Sequence, residues 1–252
     1  MGITFSGTPK LFGHVHLLFL LFIVIFNIFF YFCLKLKKEE TLIEILHYLG
    51  LFMILMEIFK QYFCFVYVFD NKLNLWFFPW QLCSMAMYCS FAIKYSKKEK
   101  LQNAFLVFLA TFSLFSDIVA LALPYDMLRD QIVLTVHSFL YHGFIITEGM
   151  IALLILKQRK IAEFLPCVFL FLTMAIIAEI INVVSHLIFN DIYVEPNMFY
   201  ITLSYPSTQP VFHDIALALG IPIEIVIYLS SIILCSFVIW KIENKTILSG
   251  NR

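Results

Sequence analysis

The sequence predicts an all-α polytopic membrane protein, a seven-transmembrane-helix bundle with its N-terminus outside and its C-terminus in the cytoplasm. Three observations carry this. The 252 residues are 62% hydrophobic and 17% aromatic with only 13% charged, a surface that a water-soluble domain of this size has no means of covering. Most apolar residues fall in seven long runs, and a span needs roughly 20 mostly apolar residues to cross about 30 Å of hydrocarbon. The connections between the runs alternate in charge.

Span one, near 12–34, ends at Lys35, Lys37 and Lys38. Its apolar run exceeds a signal-peptide core and no small-residue cleavage site follows, so a retained span is expected. Span two, near 43–69, contains Glu57, Lys60 and Gln61. Segment 70–80 opens on the turn Asp70-Asn71-Lys72 and closes in an aromatic stretch, where Trp76 and Trp80 suit the headgroup belt. Pro79 begins span three, near 80–95, at a position where a missing N–H costs little; Lys94, Lys97, Lys98 and Lys100 close it.

Span four, near 101–123, leads through a short polar turn at Pro124 into span five, near 132–156, after which come Lys157, Arg159 and Lys160. Span six, near 162–189, is followed by residues 190–218, with Pro196, Pro206 and Pro210, the aromatics Tyr193, Phe199, Tyr200, Tyr205 and Phe212, and no basic residue. A connection this long is functional or disordered, and its aromatic content opposes disorder; a cap over the outer mouth of the bundle is expected. Span seven, near 219–240, precedes Lys241, Lys245 and Arg252. Most of the basic residues therefore come after odd-numbered spans, against Lys10, Lys72 and Arg129 on the other side, and basic segments stay in the cytoplasm. The chain reads as one domain, 1–252, without repeat or soluble insertion.

Ionisable groups in hydrocarbon are costly, and a gathering of them is a functional-site hypothesis. At about 1.5 Å of rise per residue, Gln81 and Cys83 lie near the outer end of span three, and His137 and His142 in the outer half of span five. Glu179 and Asn182 lie near mid-depth of span six with His186 nearer the outer end. Glu57 lies near the middle of span two, and Asp117 and Glu224 in the outer halves of spans four and seven. A shared hydrated cavity open to the outer leaflet is expected. Glu179, Asn182 and His186 share a stripe, and Glu57 faces Lys60, a candidate buried ion pair. His137 and His142 are five apart, about 140° around a helix, which disfavours a paired-histidine metal site; no metal or cofactor is expected. The six cysteines show no CxxC and predict no disulfide framework.

Within this set Cys83 is the most reactive type. A thiol beside a basic neighbour becomes a thiolate that attacks acyl carbon, with a histidine of a neighbouring helix as base and Gln81 or backbone amides to hold the oxyanion. The stretches Trp80-Gln81-Leu82-Cys83-Ser84, His137-Ser138-Phe139-Leu140-Tyr141-His142-Gly143 and Asn197-Met198-Phe199-Tyr200, followed by Pro206, resemble the YwaF-like family of bacterial integral membrane proteins. Glu57 and Asn182 fall where that family also has polar positions, and the similarity runs in order through nearly the whole chain.

The family is similar to a eukaryotic transmembrane acyltransferase that remodels ether phospholipids. The resemblance implies Cys83 as acyl-carrying nucleophile, His142 as base, Asn197 in the cavity wall and residence in a bacterial cytoplasmic membrane. One departure concerns the base: many bacterial relatives have a histidine where this chain has Gln81, which leaves the role to His142 or His137. The expected function is a lipid acyltransferase or lipid hydrolase, with membrane lipids as partners and neither nucleic acid nor a soluble protein. The alternatives are a small-solute or proton-coupled transporter and a non-catalytic ligand-binding membrane protein.

Overall fold

Helices that are apolar on every side bury one face on neighbours and leave the rest to lipid. The computed structural model describes residues 4–159, 163–188 and 196–249, and among these six helices are long and apolar enough to cross a membrane. They are α1 (His14–Leu34), α2 (Glu39–Phe63, continued by a π turn, Cys64–Val68), the composite of α4 (Glu99–Phe108), a π turn (Leu109–Ser113) and α5 (Leu114–Ala122), then α6 (Ile132–Arg159), α7 (Phe164–Ile188) and α9 (Ile221–Ser249). Two shorter helices complete the set, α3 (Ser84–Ala92) and α8 (Phe212–Leu219). The chain is a multi-pass, all-helical membrane protein; among the described residues the only β pairing is an isolated bridge between Thr4 and Gln131.

Several helix ends carry the charge that suits the helix dipole. Glu39 and Glu40 open α2, Glu99 opens α4, and Lys157 and Arg159 close α6. These ends also meet. Arg159 donates to Glu39 (2.7 Å), Asn103 (2.7 Å) and Gln102 (2.9 Å), and Gln158 donates to the Lys37 carbonyl (3.1 Å). The starts of α2 and α4 and the end of α6 therefore share one end of the bundle.

Lys94, just after α3, pairs with Glu44 (2.6 Å) toward that same end. At the other end Gln61 donates to the Phe77 carbonyl. The chain from 77 to 94 thus runs back beside α2 from Gln61 to Glu44, about 25 Å of rise. Only its second half is α-helical. The run predicted over 80–95 starts irregularly because its first residues are held by tertiary bonds: the Pro79 carbonyl is taken by Tyr88 Oη (3.0 Å), and Trp80 Nε1 donates across to the Met174 carbonyl (3.2 Å). α2 and α3 come together at Gly50, where a Cβ would stand 2.5 Å from Phe91 N and 2.9 Å from Met87 O. Small residues permit such close approach of helices in lipid.

The last helix runs beyond the predicted 240, to Ser249. α6 is the centre of the bundle: 72% of its most apolar stretch is buried, against 17% for α1. Asn27 of α1 reaches α6 by donating to the Gly143 carbonyl (3.2 Å) and accepting from Thr147 (2.9 Å). Gly149 lets α6 approach the π turn of the composite helix, since a Cβ there would stand 3.0 Å from the Leu109 carbonyl.

Candidate functional site

The polar residues predicted to share one cavity form neighbouring clusters, most of them paired within the protein. On α2, Glu57 is 4% exposed; Lys60 lies 2.6 Å from its Oε1, and Gln61 donates to it at 2.8 Å. That is the predicted ion pair, and it neutralises a carboxylate that burial alone would leave uncompensated. His137 uses Nε2 on the Met56 carbonyl (3.0 Å), tying α6 to α2.

His142 is different. Its Nδ1 bonds Asp117 Oδ1 of α5, the carboxylate is 1% exposed, and Asp117 Oδ2 has no partner among the described residues. The carboxylate thereby fixes the imidazole with Nε2 directed away from it. This is the arrangement by which a carboxylate orients a histidine base.

Cys83 sits on the turn that starts α3, closed by Ser84 N–H on the Gln81 carbonyl (2.9 Å) and Met85 N–H on the Leu82 carbonyl (3.2 Å). It packs on the main core and is part-buried there. Among the described residues no hydrogen bond joins its thiol to an imidazole. All six cysteines are free thiols.

The third cluster is the cap. Asn182 of α7 accepts Met198 N–H at 2.7 Å and donates to the Met198 carbonyl (3.2 Å) and to Glu179 (3.1 Å). Gln81 donates to the Asn197 carbonyl (3.0 Å) and accepts Phe199 N–H (2.9 Å). Asn197 Oδ1 accepts Thr202 N–H (3.0 Å). The described start of this connection is therefore a plug: Asn197, Met198, Phe199, Ile201 and Thr202 are all buried. Gln81, considered as an oxyanion donor, has both ends of its amide committed to the plug. Tyr193, one of the predicted cap aromatics, lies outside the described residues.

Two predicted residues stand apart. His186 is on the exposed face of α7. Glu224, in the first turn of α9, is 1% exposed, and neither oxygen has a partner among the described residues. Glu148 on α6, below the main gathering, is wholly buried and likewise unpartnered there. Sequence reading missed Tyr141, whose buried hydroxyl has no partner among the same residues; one more aromatic in an apolar run gives no signal. The described cavities lie elsewhere. One of about 360 Å³ is apolar and lined by Phe78, Ile181 and Met198 among others; one of about 230 Å³ is lined by Glu99, Asn103 and Glu163 among others.

In the plug turn, Tyr200 donates to Asp126 (2.9 Å) and meets Trp76 edge-on at 5.8 Å. Burial, then the Asp126 carboxylate, push its phenol well above the ordinary range. The neutral phenol's contribution is therefore fully present below about pH 10, the unfolded value, and is lost as pH rises through the higher folded value. Tryptophan emission is expected to hold steady to about pH 10 and to step above it, and Tyr200→Phe should shrink that step by the share that comes from Trp76.

Comparison with known proteins adds no relative: no family model, curated protein or solved structure matches the chain.

Proposed function

We propose that this membrane protein is a lipid acyltransferase of the YwaF-like kind, with Cys83 as nucleophile, His142 as base and Asp117 as the group that orients the base. The chain crosses the membrane seven times in this reading, the 77–94 segment being the extra crossing, with the basic end of the bundle in the cytoplasm and the plug in the outer leaflet. The observation that carries the proposal is the buried Asp117–His142 pair, since a carboxylate on Nδ1 leaves Nε2 as the proton acceptor. Cys83 packs on the same core as Tyr141, the residue before His142.

These roles dictate the reaction. His142 Nε2 takes the thiol proton as sulfur attacks the ester carbonyl of a lipid, forming the C–S bond and a tetrahedral oxyanion. The carbonyl re-forms, the C–O bond to the glycerol breaks, and the imidazolium gives its proton to the departing alkoxide. A lysolipid hydroxyl then attacks the thioester, passing its proton to His142, and the C–S bond breaks as the thiolate takes that proton back. Water in place of the hydroxyl gives a hydrolase. An ester lies at the glycerol level, which matches the depth of Cys83 near the outer end of its crossing.

The test is peptide mass spectrometry after incubating the purified protein with phospholipid vesicles carrying an alkyne-tagged acyl chain. A hydroxylamine-sensitive acyl mass on the peptide containing Cys83, absent in Cys83→Ser, is expected; an unmodified peptide throughout the time course contradicts the proposal. The unpartnered carboxyls of Glu148 and Glu224 favour a second reading, a proton or solute path. That reading predicts flux across the vesicle membrane that survives Cys83→Ser.

A further inference from the structure

Asn197 carries donors that the protein does not use. The residue is wholly buried at the start of the plug, and the chain itself sets the orientation of its amide. Oδ1 accepts Thr202 N–H at 3.0 Å, while the backbone carbonyl accepts Gln81 Nε2 at 3.0 Å. With Oδ1 held in this way a flip of the amide is disfavoured. Nδ2 is then left with no partner among the described residues, although it is out of contact with solvent. Buried donors are paired in folded proteins, and an unpaired one calls for an explanation, a catalytic role among them.

We infer that Asn197 Nδ2 is the donor that binds the ester carbonyl oxygen of the lipid and holds the oxyanion it becomes. This rests on the acyl-transfer reading and deepens it by assigning the oxyanion donor. Three observations point the same way. Gln81 grips the plug at Asn197 and Phe199, and the turn it begins carries Cys83, so amide and thiol belong to two turns pinned together by one side chain. Tyr200, in the same plug turn, meets Trp76, on the segment that leads to Cys83, edge-on at 5.8 Å. Phe199 and Tyr200 both adopt positive φ, 58° and 59°, a conformation rare for bulky residues and concentrated at functional sites.

The chemistry selects the ligand class. An uncharged amide donor suits a neutral carbonyl on which negative charge develops only during reaction. A phosphate would call for arginine or lysine at this position. Gln81 has its amide nitrogen already on the Asn197 carbonyl, whereas Asn197 Nδ2 has no partner among the described residues.

Asn197→Asp keeps the acceptor for Thr202 N–H and removes the amide donors; Asn197→Ala removes both. Two readouts on the full-length protein in vesicles separate the possibilities. The first is the rate at which an alkyne-tagged diacyl phospholipid acylates Cys83. The second is competition, by native mass spectrometry, between a diacyl phospholipid and its dialkyl ether analogue with the same headgroup and chain length.

The wild type is expected to prefer the ester lipid, and Asn197→Asp to lose that preference and acylate Cys83 on the order of 10²-fold more slowly. If the wild type prefers the ester through Asn197 yet forms no adduct, acyl transfer falls and the donor assignment stands. If adduct forms at the same rate in Asn197→Asp, the assignment is overturned while acyl transfer stands. Equal binding of ester and ether lipids by the wild type overturns the assignment, as does parallel loss of both lipids in the variants, which would make Asn197 structural. Absence of both adduct and preference overturns both readings.

Discussion

Asp117→Asn is expected to slow acyl transfer by roughly 10³- to 10⁴-fold with little change in KM, as measured by transfer of a tagged acyl chain between vesicle lipids. The substitution preserves shape and volume, so its effect isolates the carboxylate. Asp117 accepts from His142 Nδ1, which keeps Nε2 deprotonated and available to the thiol. Asparagine in the same place can turn its NH2 toward Nδ1, and the imidazole then carries its proton on Nε2, where it cannot act as a base. Thermal stability should hold or rise, because Asp117 Oδ2 is buried without a partner among the described residues and the change removes a buried charge. Unchanged transfer would remove Asp117 from the mechanism.

Asn182→Leu should detach the plug from α7. Its amide accepts Met198 N–H at 2.7 Å and donates to the Met198 carbonyl at 3.2 Å, and Met198 is wholly buried. Leucine fills a similar volume but leaves both backbone groups unpaired, at about 1–3 kcal/mol each. Phe199 and Tyr200 also hold left-handed conformations that cost about 1–3 kcal/mol apiece and persist only while the surroundings impose them. Hydrogen exchange at 197–203 is therefore expected to accelerate by more than tenfold while the helical circular dichroism of the bundle is retained. Exchange equal to that of the wild type would show that Asn182 does not hold the turn.

The long helices were legible because lipid imposes a simple demand: length and apolarity decide them, and α1, α2, α6 and α7 begin and end within a few residues of the predicted runs. Charge made the bundle ends readable too, as Arg159, Glu39 and Lys94 show by meeting neighbours there. The features that escaped were set by tertiary partners. The first part of the 80–95 run is irregular because Trp80 and Gln81 bond to α7 and the plug, a competition that hydropathy does not register. The π turn at Leu109–Ser113 inserts an extra residue and rotates the helix beyond it by roughly 100°. The face that Asp117 presents to α6 is therefore not the one an uninterrupted helical repeat would give.

The candidate residues, expected to share one cavity, form separate clusters whose pairings the sequence does not display. His142 and Asp117 are 25 positions apart on different helices, and nothing local joins them. His137 looks equivalent to His142 in the sequence, yet the Met56 carbonyl occupies its Nε2. Gln81 and Asn182 looked like cavity polar groups, and they are the clamps of the plug.

Cadmium protection gives the most direct measure of whether the thiol and the oriented imidazole share one chamber. A soft divalent ion bridges a cysteine and a histidine only when both face the same space within a few ångströms. With the other five cysteines replaced by serine or alanine, micromolar Cd²⁺ is expected to block alkylation of Cys83 by an uncharged maleimide, and His142→Ala to restore it. Alkylation unaffected by Cd²⁺, or blocked equally with and without His142, would place the sulfur and the base apart.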